Sequence, residues 1–452
     1  MSVIVEQADP VPAAAEPEEP ARPGWNPLTR IAFRFTFLYL GLFCLSYPQV
    51  VFAFTGWFGS WLDSDAVLWQ GRLLRPVLEW TGRTVFGVRP VLSPNGSGDQ
   101  TILWVLVFCV LVVAVAGTLV WSVLDRRRRD YRRLAGWFLI FLRLCLGAQM
   151  LNYGFAKVIP TQMPEPALST LLTPFGDLTP MAVLWSQVGM SPAYEILLGA
   201  AEVLAGVLLF VPRTATVGAM LALVSMAQVF VLNMTFDVPV KILSGHLLLI
   251  SLVLLAPQAR RLADVLVLDR PVGRSTAPYP FRTPRSRLIA ALVQAGIGIW
   301  VGVALVHVGT QLWDRGPGRP EPPLYGIWKV EEFTRDGQPV PPLSTDTARW
   351  QRIVFDYPGV MHYQRVDGTL VRTGAQVDTG TRHLALVAPP RRPGAAPAPL
   401  GDFHYDQQGP DVLRFTGELE GRPVTLTLHR QDPDALPQRS HGFRWIQDAP
   451  GY

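Results

Sequence analysis

Hydrophobic positions along this chain are concentrated in seven long runs within its first 312 residues. An α-helix rises about 1.5 Å per residue, so each run is long enough to cross the roughly 30 Å hydrocarbon core of a bilayer. The pattern predicts a polytopic helical membrane domain over residues 30–312 with about seven transmembrane helices. The runs cover about 31–56, 101–123, 134–158, 194–212, 214–235, 239–257 and 287–312.

The period of the pattern changes after residue 322. Short segments now alternate apolar and polar residues, and DG or GQ turns separate several of them. We expect a linker at 313–322, a loop in the Pro- and Ala-rich insert 388–401, and a small antiparallel β-barrel of eight short strands over 323–452. The segments that carry this expectation are 324–333, 350–357, 359–366, 383–387, 412–419 and 423–430.

Two other stretches complete the predicted organisation. Residues 1–29 are rich in Pro, Ala and Glu, which predicts a disordered cytoplasmic tail and not a cleaved signal peptide. Residues 57–100 alternate tryptophans with charged residues at roughly helical spacing, as in an amphipathic helix that lies in the membrane interface.

The distribution of charge predicts the topology. Charged residues make up only 17% of the chain, against roughly 25% in soluble proteins. Basic residues cluster between apolar runs, at 126–133 and 258–287, so they favour a positive-inside arrangement over nucleic-acid binding. With seven spans, the N-terminus is cytoplasmic and the barrel extracytoplasmic, in a bacterial inner membrane; one span fewer would put the barrel in the cytoplasm.

Cysteine and lysine usage narrows the candidate chemistry. The three cysteines, Cys44, Cys109 and Cys145, all lie in apolar runs, and no Cys/His spacing predicts a metal site. Lysine occurs only three times among 40 basic residues, and two of the three, Lys157 and Lys241, flank predicted membrane helices.

Ionisable residues inside membrane helices are costly, so they usually pair, face a cavity or have a function. On the fourth predicted helix, Glu195 and Glu202 are seven residues apart and share a face. On the third, Gln149, Tyr153 and Lys157 form a stripe with a spacing of four. Both groups reach the same predicted side of the membrane.

The stretch 230–250 places further polar residues at that side. Asp237 is the predicted N-cap of the sixth helix, with Pro239 in the first turn. Lys241 and His246 follow, and Asn233 ends the helix before.

Simpler structural roles explain some of these residues singly: snorkelling for the lysines, capping for Asp237, an ion pair for Glu202. Together they predict a site that holds a ligand carbonyl or quinone oxygen, or passes protons. The candidate catalytic residues are Lys241, Glu202 and Lys157, and the candidate ligand-binding residues are Tyr153, Asn233, Asp237, His246 and Gln149.

Residues 134–257 resemble DoxX-like membrane proteins. The motifs that carry the resemblance are GFAK at 154–157, the AAEV helix with Glu202, and the stretch 233–241. The resemblance implies a four-helix membrane module, and some members are linked to quinone reduction, as in thiosulfate:quinone oxidoreductase. The layout of further spans and a soluble tail is also similar to vitamin K-dependent carboxylase-like membrane proteins.

The predicted barrel resembles lipocalin-like domains. Gly326-Ile-Trp328 matches the G-x-W of a lipocalin first strand, and the resemblance implies that Trp328 closes the barrel base. Arg430 or Arg444 is then expected to stack on this tryptophan. Barrels of this size hold one small apolar ligand or are filled by side chains.

Three hypotheses follow for the function. The first is a redox-linked membrane protein that binds a quinone or similar lipid-soluble molecule near the outer leaflet, in contact with membrane lipids and a redox partner subunit. The second is a non-enzymatic lipid-handling or envelope-assembly protein in which the barrel exchanges apolar ligands with the bundle. The third is carboxylation or epoxidation chemistry that uses Lys241 as a base.

Overall fold

A computed structural model describes most of the chain. It covers residues 24–61, 69–93, 95–273, 275, 277–343, 345–346, 348–388, 398–443 and 445–448. Most of the predicted tail 1–29, most of the predicted loop 388–401 and the predicted barrel residue Arg444 lie outside the described residues.

The first part of the chain is helical. Its helices are α1 Pro27–Ser46, α2 Pro48–Phe52, α3 Trp69–Val85, α4 Thr101–Leu124, α5 Arg132–Val158, α6 Leu168–Leu172, α7 Pro180–Gly189, α8 Pro192–Phe210, α9 Ala215–Thr235, α10 Lys241–Leu255, α11 Ala259–Leu266 and α12 Pro284–Arg315.

Seven described helices are long and apolar enough to cross a membrane: α1, α4, α5, α8, α9, the segment Lys241–Leu266 that joins α10 to α11, and α12. The predicted number of membrane helices is therefore confirmed. Their bounds differ from the predicted ones where proline interrupts the chain or a helix runs further. Pro48 starts the separate helix α2, which shortens the first run, and α12 continues to Arg315 into the predicted linker.

Close packing between α5 and α8 organises the helical domain. Gly154 and Gly199 face each other across these helices. A Cβ atom on Gly154 would lie 2.7 Å from the backbone nitrogen of Val203, and one on Gly199 would lie 2.7 Å from the Gly154 carbonyl oxygen. Small residues allow this close backbone approach, which brings Lys157 on α5 beside Glu202 on α8.

The second part of the chain is a closed antiparallel barrel. Its strands are β1 Gly326–Arg335, β2 Gln338–Pro339, β3 Trp350–Tyr357, β4 Val360–Arg365, β5 Leu370–Asp378, β6 His383–Ala388, β7 Ala398–Gln407, β8 Val412–Leu419 and β9 Arg422–Gln431. Apart from the two-residue β2, consecutive strands pair, and β1 also pairs with β9 to close the barrel. This is the up-and-down topology that lipocalins share.

The barrel confirms the predicted class of fold and corrects two details. Strands β5 and β7 were not among the segments recognised in the sequence, and in β5 the alternation is weak around Thr373 and Gly374. The insert 388–401 is not all loop, since residues 398–401 belong to β7.

Side chains of the barrel's own strands fill its interior. Trp328, Phe355, Phe403 and Phe415 are all at most 2% exposed and belong to one apolar core. Trp328 donates its indole N–H to the Leu324 carbonyl oxygen at 2.8 Å. Arg430 is its cross-strand neighbour, but among the described residues no guanidinium lies over the Trp328 ring.

The barrel contacts the helical domain through α6, in the loop that follows α5. Leu168 packs with Ile327 and Val354. Beside them, the buried Asp356 carboxylate accepts hydrogen bonds from the Ser169 amide at 3.0 Å and the Ser169 hydroxyl at 2.5 Å. These contacts place the barrel at the end of the bundle where α5 ends and α8 begins, which we call the barrel end.

Candidate functional site

A buried ion pair lies at the barrel end of the helical domain. The Lys157 Nζ atom lies 2.7 Å from Glu202 Oε2, and the two residues are 6% and 3% exposed. Lys157 belongs to the last turn of α5, and Glu202 lies in the middle of α8. Two charges inside an apolar bundle are tolerated because each neutralises the other.

The ion pair forms part of the wall of a cavity of about 120 Å³. We call it the pair cavity. Its polar wall positions come from α5, the loop after it, α8, α9 and α10, and they are Tyr153, Lys157, Gln162, Glu202, Ser225, Gln228, Asn233 and Ser244. Its apolar wall positions include Leu184, Trp185, Leu198, Ala201, Met226 and Val229 from α7, α8 and α9, and others come from α10 and the loops. The structure therefore brings together four of the predicted site residues: Lys157, Glu202, Tyr153 and Asn233.

The polar side chains of the wall are held in position by neighbours. The Tyr153 hydroxyl accepts a hydrogen bond from the Gln49 side chain at 2.9 Å. The Asn233 side chain donates to the Ser244 hydroxyl at 3.0 Å. These bonds fix a tyrosine hydroxyl and an amide at known places on the wall.

Glu195, the second carboxylate of α8, is also buried, at 1% exposure. It accepts a hydrogen bond from the Met163 amide at 3.0 Å. Met163 lines the pair cavity, so Glu195 positions the loop after α5 at the cavity wall. The two carboxylates of one helix face therefore have different partners.

Lys241 does not belong to this site, contrary to the prediction. Its Nζ atom lies 2.8 Å from Asp237 and 3.8 Å from Asp99. Lys241 is the first residue of α10, and among the described residues it does not line the pair cavity. Of the two lysines in the helical domain, only Lys157 is opposite the buried Glu202.

Asp237 is not the N-cap of α10, which corrects a second prediction. It adopts a positive φ of 53° in the turn after α9, and its side chain is 84% exposed. The first amides of α10 donate instead to Asp99, from Lys241 at 2.7 Å and from Ile242 at 2.9 Å. Pro239 accordingly precedes the helix rather than lying in its first turn.

His246 and Gln149 are also outside the pair cavity. The His246 ring stacks on Phe43 with centroids 3.7 Å apart and lies within hydrogen-bond distance of the Tyr39 hydroxyl, at 2.9 Å. It therefore joins α10 to α1. Gln149 donates to the Gln49 backbone carbonyl at 3.1 Å. Both residues make contacts between helices, and among the described residues neither lines the pair cavity.

Two residues near the site were missed from the sequence. Asp99 accepts a hydrogen bond from the amide of Lys241, 142 positions away in the chain. Gln49 donates a hydrogen bond to the hydroxyl of Tyr153, 104 positions away. No local pattern marks either residue, since one follows a Gly-rich turn and the other a proline in an apolar run. Among the described residues, no group of three His, Cys, Asp or Glu side chains is placed to hold a metal ion.

Lys157 has one more N–H donor than it has acceptors among the described residues. A lysine ammonium has three N–H donors. One is directed to Glu202, and a second lies 3.5 Å from the Tyr153 carbonyl oxygen. The third is available to an oxygen atom in the cavity, where the adjacent carboxylate can exchange a proton with the ammonium.

Comparison with known proteins gives one relative. Over 132 residues the chain is 32% identical to the uncharacterized protein YwoB of Bacillus subtilis (strain 168), a match that covers 27% of this chain and 78% of YwoB. The chain belongs to the YwoB family. Because YwoB is uncharacterized, the YwoB family supplies neither a substrate nor a cofactor. No family model matches the chain, and no solved structure matches it, so the resemblances to DoxX-like and lipocalin-like proteins stay predictions.

Proposed function

We propose that the pair cavity binds the head group of a quinone or a similar lipid-soluble carbonyl compound, in a redox-linked membrane protein. The observation that carries this proposal is the Lys157–Glu202 ion pair on the wall of a cavity inside an apolar helical domain. In an apolar interior, a charged donor binds a carbonyl oxygen well because no water competes for the hydrogen bond.

The size of the cavity supports a ligand with one ring. Its volume is about 120 Å³, and an apolar protein cavity of roughly 150 Å³ accommodates benzene. A substituted ring fits with a small widening of the wall, and its apolar tail extends past Trp185 and Leu198 towards the lipid. The Tyr153 and Asn233 side chains then flank the ring.

The polar groups also provide a route for protons. Reduction of a quinone to a quinol takes up two electrons and two protons. In this proposal Lys157 donates one proton to the quinone oxygen that it contacts, and the second proton reaches the other quinone oxygen from water. The Lys157 amine takes a proton back from water, and Glu202 stabilises the ammonium that forms again. The electrons come from a membrane-bound redox partner subunit, for which the exposed surface of the barrel is the proposed contact.

The proposal assigns ligand binding to the helices and not to the barrel. The barrel interior is occupied by side chains such as Trp328 and Phe415, which leaves its outer surface as the part that meets a partner. The charge pattern of the loops supports an extracytoplasmic position for the barrel end, in the inner membrane of a bacterium, and hence a cavity near the outer leaflet.

Mass spectrometry of small molecules extracted from the purified full-length protein tests the proposal. We expect a quinone in the wild type and in Lys241→Met, and its loss in Lys157→Met. Lys241 is a matched control because it is the other lysine of the helical domain and pairs with different carboxylates. Preparations without any quinone, which also show no spectral change on addition of a short-chain quinone, would refute the proposal. Retention in Lys157→Met with loss in Lys241→Met would favour lysine-base chemistry at Lys241.

A further inference from the structure

A second cavity lies at the barrel end, on another face of α5. Its volume is about 470 Å³, within the range of roughly 300–1,000 Å³ that is typical of ligand sites. Consecutive residues of α5 line the two cavities, Asn152 the second cavity and Tyr153 the pair cavity. The remaining walls come from α2, the 3₁₀ turn Gly56–Trp61 and the last turns of α12.

The polar groups of this second cavity favour an anion. Arg315 and Asn152 line it, and neither side chain has a hydrogen-bond or ion-pair partner within the described part of the chain. No acidic residue belongs to the described lining. A guanidinium without a carboxylate partner is suited to a phosphate or a carboxylate, and the Asn152 amide is a further donor on the same lining.

Much of the remaining lining is apolar. It includes Phe52, Leu305, Val308 and Leu312, and the last three precede Arg315 on α12. A ligand in this cavity therefore contacts a cationic donor at the end of α12 and hydrocarbon along the preceding turns of that helix. That combination describes an amphiphile and not a small inorganic ion.

We propose that the second cavity is a binding site for an amphiphile with an anionic head group, held by Arg315, whose hydrocarbon chain lies along Phe52 and Leu305. Gln49 connects this site to the pair cavity, since it lines the second cavity and donates to the Tyr153 hydroxyl. The second site does not depend on what the pair cavity binds.

Native mass spectrometry of the delipidated full-length protein tests this site with three probes: phosphatidylglycerol, phosphatidylcholine and oleate. We expect the protein to retain at least one anionic probe and to retain phosphatidylcholine about tenfold less, since the choline cation balances the phosphate charge that would otherwise pair with Arg315. Retention of phosphatidylglycerol alone assigns a phospholipid, retention of oleate alone a fatty acid, and retention of both the shared anionic chemistry.

Two variants and a matched control make the test specific. Arg315→Gln removes the cation, and Leu305→Trp fills the apolar part; each is expected to lower retention of the anionic probe about tenfold. Arg285→Gln, at the opposite end of the same helix, is expected to leave it unchanged. Equal retention of phosphatidylcholine, or unchanged retention in both Arg315→Gln and Leu305→Trp, would overturn the proposal. Thermal unfolding of each variant separates loss of the site from loss of the fold.

Discussion

The Lys157 ammonium and the Glu202 carboxylate lie 2.7 Å apart in the interior of the helical domain. Removal of one partner leaves an uncompensated buried charge, whereas removal of both does not. We therefore expect Lys157→Met to lower the free energy of unfolding by about 3–5 kcal/mol, and the double variant Lys157→Met/Glu202→Leu to recover most of the loss. Thermal unfolding in detergent measures both. Equal destabilisation of the single and double variants would mean that the charges are not coupled.

The residue that caps the N-terminus of α10 in the structure is not the one that the sequence predicted. Asp99 accepts hydrogen bonds from the first two amides of this helix, whereas Asp237 is exposed and, within the described part of the chain, accepts only from Lys241. Asp99→Ala is expected to cost about 0.5–2 kcal/mol, the usual effect of an N-cap. Asp237→Ala should change stability by no more than about 0.5 kcal/mol. Chemical or thermal unfolding measures the stability of the two variants. A larger loss in Asp237→Ala than in Asp99→Ala would mean that Asp237 is the N-cap, as the sequence predicted.

Packing between α5 and α8 is tested at glycine positions. A Cβ atom at Gly199 would lie 2.7 Å from both the Gly154 carbonyl oxygen and Lys157 Cβ, so the helices must separate. We expect Gly199→Ala to destabilise the protein by about 1–3 kcal/mol. The control is Gly296→Ala on α12, where nothing lies within 4 Å of the added atom and the higher helix propensity of alanine stabilises. Similar unfolding temperatures for the two variants would contradict this packing.

Acid should weaken the contact between the barrel and α6. Burial raises the pKa of Asp356, but the His362 ring, whose Nδ1 atom lies 3.5 Å from Asp356 Oδ1, and the hydrogen bonds from Ser169 outweigh burial and hold this pKa below its usual value. The contribution of such a group is complete above its unfolded pKa of about 3.9 and is lost as the pH falls through the lower folded pKa.

Hydrogen exchange of the Ser169 amide measures this contact. After correction for the intrinsic rate, we expect constant protection between about pH 5 and 8 and a decline below about pH 4. Asp356→Asn should lower protection at neutral pH. Asp402→Asn, at an exposed barrel carboxylate, should not. Protection that is independent of both pH and Asp356 would rule out the contact.

The sequence predicted the seven helices and the barrel because both depend on local periodicity. Each run between 101–123 and 287–312 predicted a helix whose ends lie within a few residues of the observed ones. Burial of apolar faces in lipid or in a barrel sets these patterns, and no distant contact is needed to read them.

The site was predicted only in part, and the reason is geometric. Helix periodicity placed Tyr153 and Lys157 on one stripe. The free-energy cost of a charge inside a membrane helix indicated that Glu202 has a partner or a function. Periodicity does not say which lysine meets which carboxylate, since this depends on the Gly154–Gly199 approach. The assignment of Lys241 to the site failed for this reason, and the role of Asp99 was not visible.

The central claim is that the pair cavity holds the ring of a quinone-like ligand. The most direct measurement is the equilibrium binding of a short-chain benzoquinone to the full-length protein in nanodiscs, for wild type, Ala201→Phe and Leu204→Phe. Ala201 lines the pair cavity, whereas Leu204, on the same helix, is 52% exposed. We expect binding to be about tenfold weaker in Ala201→Phe and unchanged in Leu204→Phe; wild-type affinity in a folded Ala201→Phe protein would rule out a ligand ring in the pair cavity.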